Sequence, residues 1–405
     1  MVSRLGWLDH DTDAQKRTLE VLRTFKEPET RDDLGIATIR DAISEILCPG
    51  MSVLQTRLRY MFLLPYLFRQ LETDGIPSSK IADEAWNREL ELNKRLIEGG
   101  EDTIGLFGKS SGDQLKRLAS HAYWNGLSRW GILESQYSRD ELIQSLPNVN
   151  DQTAGNRKNE AGELKAFDRK PIWQPLLPEP SAYAEILGNP SIAMTAEESN
   201  FVRDVIFERI ENSLFARIGR HEDLMGIAVE SDFPWKPAIA DRLPTDERDL
   251  VLNASHFSTL IQGGLCLLGV ALSHLPRHQS HEPAANEHFR KWLEGDYAKR
   301  MLNWKPAELF ELLRNAGKKF RGEKFVSELH DFFLSIANPA KTQYQSNPAL
   351  QKGIDLVRER ESRKANSRFK DHRTWDGKPF DYIMNYRWNT TRQFLRDFDQ
   401  GLKLR

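Results

Sequence analysis

Residues 250–276 read LVLNASHFSTLIQGGLCLLGVALSHLP, twenty-seven positions without one Asp, Glu, Lys or Arg. The stretch is long enough to cross a bilayer. Yet His256, Gln262 and His274, with several Ser, Thr and Gly, dilute it, and no aromatic belt flanks it. It therefore reads as a helix buried on all sides in a protein core. Such a helix needs other helices to cover it, and the rest of the chain is patterned to supply them.

Upstream, Asp11 to Phe25 carries Leu19, Leu22 and Phe25 at helical spacing, and Ile36, Ile39, Ile43, Ile46 and Leu47 trace an apolar face that Pro49-Gly50 ends. Ser52-Val-Leu-Gln55 has the capping-box pattern, predicting a helix from there to about Leu71, very apolar and with Pro65 as a kink point. Ile81 to Ile97 is charged but keeps a stripe of Ile81, Ala85, Leu92 and Leu96. Residues 99–112 form a loop by composition, Gln114–Ala122 and Tyr123–Trp130 read as two helices, and Ser138-Arg-Asp-Glu141 is a second capping box. Residues 147–162 are polar and rich in Asn, and 171–190 hold five prolines with Trp173, Leu176, Leu177 and Tyr183, which suggests an extended segment packed on a neighbour.

Thr195-Ala-Glu-Glu198 is a third capping box, predicting a helix to about Arg217. Pro283, Pro306, Pro339 and Pro348 each stand where a first helical turn would begin, and a final helix is expected over Tyr382–Leu402. Alternating strand patterns are nearly absent, and no repeat of 20–50 residues appears. The expected fold is mainly α, one or more multi-helix bundles with little or no β-sheet. Composition divides the chain into an N-terminal helical domain (1–147), a polar then Pro-rich connecting segment (148–194) and a C-terminal helical domain (195–405) that contains a basic region at 352–378.

The chain has 405 residues, enough for two or three domains, and its ten Trp and twenty Phe argue against disorder. A formal net charge of −2 removes any global attraction to DNA or membranes, so a basic surface must be local. Cys48 and Cys266 lie far apart in apolar sequence and read as buried thiols, without a disulfide framework or a zinc site. The opening residues lack the apolar run of a signal peptide, and a cytoplasmic location is expected.

Five chemistries each need residues that the sequence supplies only in part or not at all. Gly108-Lys109-Ser110 ends like a phosphate-binding loop, but Thr103 stands where its first Gly belongs. His274 and His278 have a spacing that metals accept, but Pro276 interrupts them and no Cys or Asp completes a shell. Asp151 with Glu163-Leu-Lys165 matches a nuclease pattern on spacing alone, in residues unlike a strand. Phospholipase D chemistry and a Gly-x-Ser-x-Gly elbow have no matching residues. Tyr123–Glu134 suggests a winged-helix recognition segment, but Ser138 starts a helix where the wing should come, so helical packing is the better reading. No catalytic residue, metal ligand or cofactor is therefore assigned.

The clearest charge feature is C-terminal. From Lys352 to Lys378 nine basic residues stand against five acidic, and Phe369 and Trp375 are interleaved as base stacking would require. Residues 352–405 sum to +6, leaving −8 on residues 1–351. The candidate nucleic-acid contacts are Arg358, Arg360, Arg363, Lys364, Arg368, Lys370 and Arg373, against the plainer reading of a solvated helix, since Glu359 and Glu361 lie among the arginines.

Several local motifs run from the first residues to the last helix. They are Leu5-Gly6-Trp7-Leu8-Asp9, the block from Gly35–Asp41 to Leu54-Gln55-Thr56-Arg57 with Arg59-Tyr60, Tyr123-Trp-Asn-Gly-Leu127, and Asn385-Tyr386-Arg387-Trp388. In these the chain resembles an uncharacterised bacterial domain-of-unknown-function family. The resemblance covers nearly the whole chain and implies no activity, so it transfers no catalytic residue. It does imply company. Members occur in defence islands near helicases of the helicase-associated type and phospholipase D-like nucleases, and the Azaca anti-phage system is the assembly it suggests. Three functions stay open: a non-enzymatic scaffold or sensor docking on a helicase–nuclease partner encoded nearby, a DNA- or RNA-binding module, and a divergent nuclease. A membrane is not among the expected partners.

Overall fold

The computed structural model describes residues 32–99, 104–107, 109, 118–154, 171–180, 188, 190–295, 300–301, 303–336, 348–365, 367–370, 375–380 and 382–404. In chain order the longer helices are α1 (Ala37–Leu47), α2 (Tyr60–Thr73), α3 (Ile81–Gly99), α4 (Ala119–Arg129), α5 (Arg139–Ala154), α6 (Ala196–Phe201), α7 (Leu214–Gly219), α8 (Glu222–Glu230), α9 (Thr245–Ser273), α10 (Glu282–Glu294), α11 (Pro306–Asn315), α12 (Glu323–Ile336), α13 (Pro348–Ser362) and α14 (Trp388–Leu402). The fold is mainly α. Among the described residues there is no strand, only an isolated antiparallel bridge between Leu133 and Trp173.

The helices gather into two compact units that do not follow chain order. One contains Cys48–Glu230 and Asn389–Arg405, the other Pro28–Leu47 and Ser231–Trp388. The chain passes between them after Leu47, Glu230 and Trp388. Composition marks where the chain turns polar. It carries no record of which helices later share a core.

In the first unit α2 is the apolar centre, with Tyr60 through Phe68 all buried, and it continues through Pro65. The α3 stripe of Ile81, Ala85, Leu92 and Leu96 is buried as its spacing requires, but Glu89 and Asn93 lie in the same stripe. Aromatic rings complete the core. Trp130 stacks on Phe215 at 5.4 Å, and Phe394 from α14 meets Trp130 edge-on at 6.0 Å. Of the Pro-rich segment, residues 171–180 pack as a non-helical strap: Trp173 and Leu177 are buried, Leu176 is exposed, Tyr183 lies outside the described residues, and Trp173 Nε1 donates to Glu72 Oε1 at 2.7 Å. Burial holds the Glu72 carboxyl above its usual pKa, against the pull of that hydrogen bond. Two of the three capping boxes open helices. Ser138–Glu141 starts α5, and Thr195–Glu198 starts α6.

Several element boundaries differ from the sequence reading. One helix, α4, covers the Ala122–Tyr123 junction, and residues 110–117 before it lie outside the described residues. Residues 147–154, expected in the connecting segment, extend α5. The helix from Ala196 runs through a π turn (Val202–Ile206) to Arg209 and stops, and Ser213 then caps α7. The last helix begins at Trp388 rather than Tyr382, because Tyr386 and Arg387 take left-handed backbone angles (φ 54° and 67°). The Tyr386 hydroxyl, donating to Ala254 O at 2.8 Å, helps hold this strained pair.

In the second unit α9 is the buried axis that its missing charges predict, with 83% of its most apolar window inside the protein. By length and composition α9 could also span a membrane. Helices α1 and α10–α13 pack around it. Gly263 lets the Trp292 ring lie directly on the helix, since a Cβ there would stand 2.0 Å from the ring. Pro283, Pro306 and Pro348 all occupy first turns, while Pro339 falls outside the described residues.

Candidate functional site

The basic region begins on α13, whose apolar side packs on α9 and α12. Of the seven candidate contacts, Arg373 lies outside the described residues, and the other six divide into two groups. Arg360, Lys364 and Arg368 converge on the loop before α1. Arg360 donates from Nε to Leu34 O (2.9 Å) and from Nη2 to Gly35 O (2.7 Å), with its guanidinium 5.1 Å from the Phe325 ring centre. Arg368 Nη1 reaches Asp33 Oδ1 at 2.7 Å, and Lys364 Nζ stands 3.8 Å from the same oxygen. Asp33 is 4% exposed. Glu361, fully buried, accepts hydrogen bonds from the Arg368 amide and the Ser367 hydroxyl and so fixes the turn after α13. This group works as an internal clamp on residues 33–35.

Arg358, Arg363 and Lys370 form the second group. Arg363 is exposed and pairs with Glu359 one turn away on α13. Arg358 stands 3.7 Å from Asp355 and lies over the Phe369 ring, while exposed Lys370 donates to Ala365 O. Phe369 and Trp375 do not stand as open stacking platforms. Trp375 is buried and stacked on Phe380 at 5.9 Å.

The first unit holds a second polar centre, which spacing did not reveal. Residues 52–58 carry the Ser52/Gln55 pair, but no helix follows until Tyr60. Ser52 N donates to Gln55 Oε1, while the backbone donors that a helix would use turn elsewhere. Thr56 N and Arg57 N both donate to the Tyr123 hydroxyl (2.8 and 2.9 Å), which donates in turn to Arg57 O (2.7 Å). Leu58 N donates to Asp397 Oδ2 at 2.7 Å. Arg57, 3% exposed, faces both Asp397 oxygens through Nε (3.0 and 3.1 Å) and sends Nη1 to Ile104 O. The segment is not helical because tertiary partners replace the helical ones. Burial drives the Tyr123 phenol well above its usual pKa, so it stays a neutral donor and acceptor.

Glu89 builds a smaller buried centre. Ser120 donates to it from N (3.0 Å) and Oγ (2.6 Å), and Arg139 reaches both Ser120 Oγ (2.6 Å) and Glu89 Oε1 (3.2 Å). Its signal in the sequence was a carboxylate in the middle of an apolar stripe, which demands a partner when buried.

The other sequence candidates separate. His274 caps α9 beside Glu282 at 3.9 Å, whereas His278 is buried in the turn that Pro276 opens and accepts from Trp375 N. Among the described residues no group of three or more His, Cys, Asp or Glu stands ready for a metal. Asp151 lies on α5, and Glu163 and Lys165 lie outside the described residues. Leu106 and Phe107 are buried, while Gly108 and Ser110 of the phosphate-loop candidate are also outside them. Ser138 opens α5 where a winged helix would place its wing, and Ile132–Glu134 bonds the strap at Ile172 and Gln174. A cavity of about 250 Å³ in the second unit is lined by Trp375, Phe380, Cys266 and His288, whose Nε2 is buried without a partner. It falls below the roughly 300–1,000 Å³ of most ligand sites.

Fold and clusters together define a helical protein whose deepest charges hold its own loops. The chain belongs to a family of unknown function (DUF6361), whose model matches residues 2–400. No curated protein and no solved structure matches it.

Proposed function

We propose that the protein is a scaffold or sensor in a bacterial anti-phage defence assembly, acting in the cytoplasm by docking on a helicase, a phospholipase D-like nuclease, or both. The observation that carries this reading is the use made of the signature residues. Gln55, Thr56, Arg57, Arg59 and Tyr123 are all engaged in hydrogen bonds within the first unit, several of them fully buried. Residues committed in this way build a body for others to bind; they present no reactive group to a substrate. The company of helicases and nucleases comes from the resemblance of the same motifs. Co-expression with the neighbouring gene products is the test. A single co-eluting species is expected, and clean separation at micromolar concentration would rule the reading out.

A second reading, nucleic-acid contact through the C-terminal basic region, is favoured by the exposure of Arg363 and Lys370. Its mark would be binding that weakens steeply with salt, as phosphate contacts release counterions.

A further inference from the structure

We propose that the turn between α11 and α12, Gly317-Lys318-Lys319-Phe320-Arg321-Gly322, is a phosphate-contacting surface for nucleic acid. This rests on the second reading above and moves its principal contact away from α13. Lys319 and Arg321 are exposed and Lys318 is half-exposed. None of the three has an acidic partner among the described residues, since nearby Glu323 pairs with Arg314 and Glu328 with Lys324. Residues 314–324 hold five basic side chains and one acidic. On α13 and in the turn after it, by contrast, Arg360, Lys364 and Arg368 are occupied by Asp33, Leu34, Gly35 and Glu361, Arg358 has Asp355 on its own helix, and Arg363, just past the helix end, pairs with Glu359.

The turn is also pre-formed. Thr38 Oγ1 accepts from Arg321 N (3.0 Å) and donates to Arg321 O (3.1 Å), fastening the turn to the start of α1. Gly322 lies against Arg360, where a Cβ would stand 3.2 Å from Nη2, so a fourth cation backs the turn. Half-buried Phe320 is anchored 5.8 Å from Phe310 with Arg314 over its ring. Cations on a fixed backbone suit a strand of phosphates, whose charges they neutralise. A rigid turn loses little entropy on binding.

The experiment is fluorescence anisotropy of the full chain with a labelled single-stranded oligonucleotide and a duplex of the same length. Three phosphate contacts on duplex predict an affinity loss of about 40-fold between roughly 50 and 200 mM salt. Lys318→Glu with Lys319→Glu and Arg321→Glu should remove that salt dependence and most of the binding, with the thermal melt unchanged. Unchanged binding by the triple variant, or loss caused instead by Arg358→Glu with Arg363→Glu, would overturn this placement while leaving the second reading intact. No binding of either oligonucleotide by the unaltered chain at low salt would overturn both. Competition by polyglutamate as strong as by oligonucleotide would also overturn the proposal, in favour of an acidic protein partner.

Discussion

Two loops in this molecule are held by charge, and the comparison separates burial from ion pairing. In the first unit residues 56–58 are bound by Asp397 and Tyr123 with Arg57 inside the core, where the pair is 3% and 1% exposed. In the second unit residues 33–35 are bound by three cations whose long side chains reach water: Lys364 is 28% and Arg368 20% exposed. The dry site has one carboxylate and one guanidinium, so losing either leaves a buried charge alone. The wet site shares Asp33 between two cations, so either can cover for the other. Depth sets the energy of a salt bridge far more than distance does.

The comparison breaks or sharpens under substitution. Asp397→Ala should cost about 3–5 kcal/mol, because it strands the Arg57 guanidinium and the Leu58 amide together. Urea unfolding measures it, and a loss below about 1 kcal/mol would remove the distinction between the two sites. Replacing both partners, Arg57→Met with Asp397→Leu, should recover only part of that, since Leu58 N and Ile104 O still need partners. Arg360→Ala comes next, at about 1.5–3 kcal/mol for its two bonds to Leu34 and Gly35 carbonyls. Faster amide exchange over residues 34–39, with the first unit unaffected, is the expected signature.

A pH effect follows from His256 and His278, both held below the usual histidine pKa. Burial is the larger cause in each, followed by Arg300 for His256 and by Arg277 and His281 for His278. The unfolded chain therefore takes up these protons first. The stability they contribute is present above pH 6.5 and is lost as pH falls toward the folded-state values. Thermal melts from neutral pH downward should show the decline, and His256→Asn should flatten it. The smallest effect belongs to Arg363→Ala, about 0.3–0.5 kcal/mol for an exposed ion pair at a helix end. A larger loss on calorimetry would mean that the α13 surface is more tightly organised than its exposure implies.

Much of the architecture is legible in the sequence. The charge-free run in 250–276 identified the core helix, first-turn prolines marked α10, α11 and α13, and the Ser138 and Thr195 boxes marked α5 and α6. Ser52/Gln55 misled, because the motif states only that local donors can be satisfied, and here Tyr123 and Asp397 outcompete the helix for them. The basic region was equally visible as composition, yet composition could not say that Asp33 and Glu361 absorb part of it. Lys318, Lys319 and Arg321 form too short a run to stand out in composition, and only the folded chain leaves their side chains without an acidic partner among the described residues.

The sequence by itself determined the helical class, the buried axis and most helix starts, since these follow from periodicity and capping within a few residues. Tertiary structure alone decided which charges are dry, which loops they hold, and which helices share a compact unit. Those outcomes depend on partners tens to hundreds of positions apart, such as Arg57 with Asp397 and Asp33 with Arg368. Local pattern carries no information about such pairings, and burial, which sets their strength, exists only once the chain has folded.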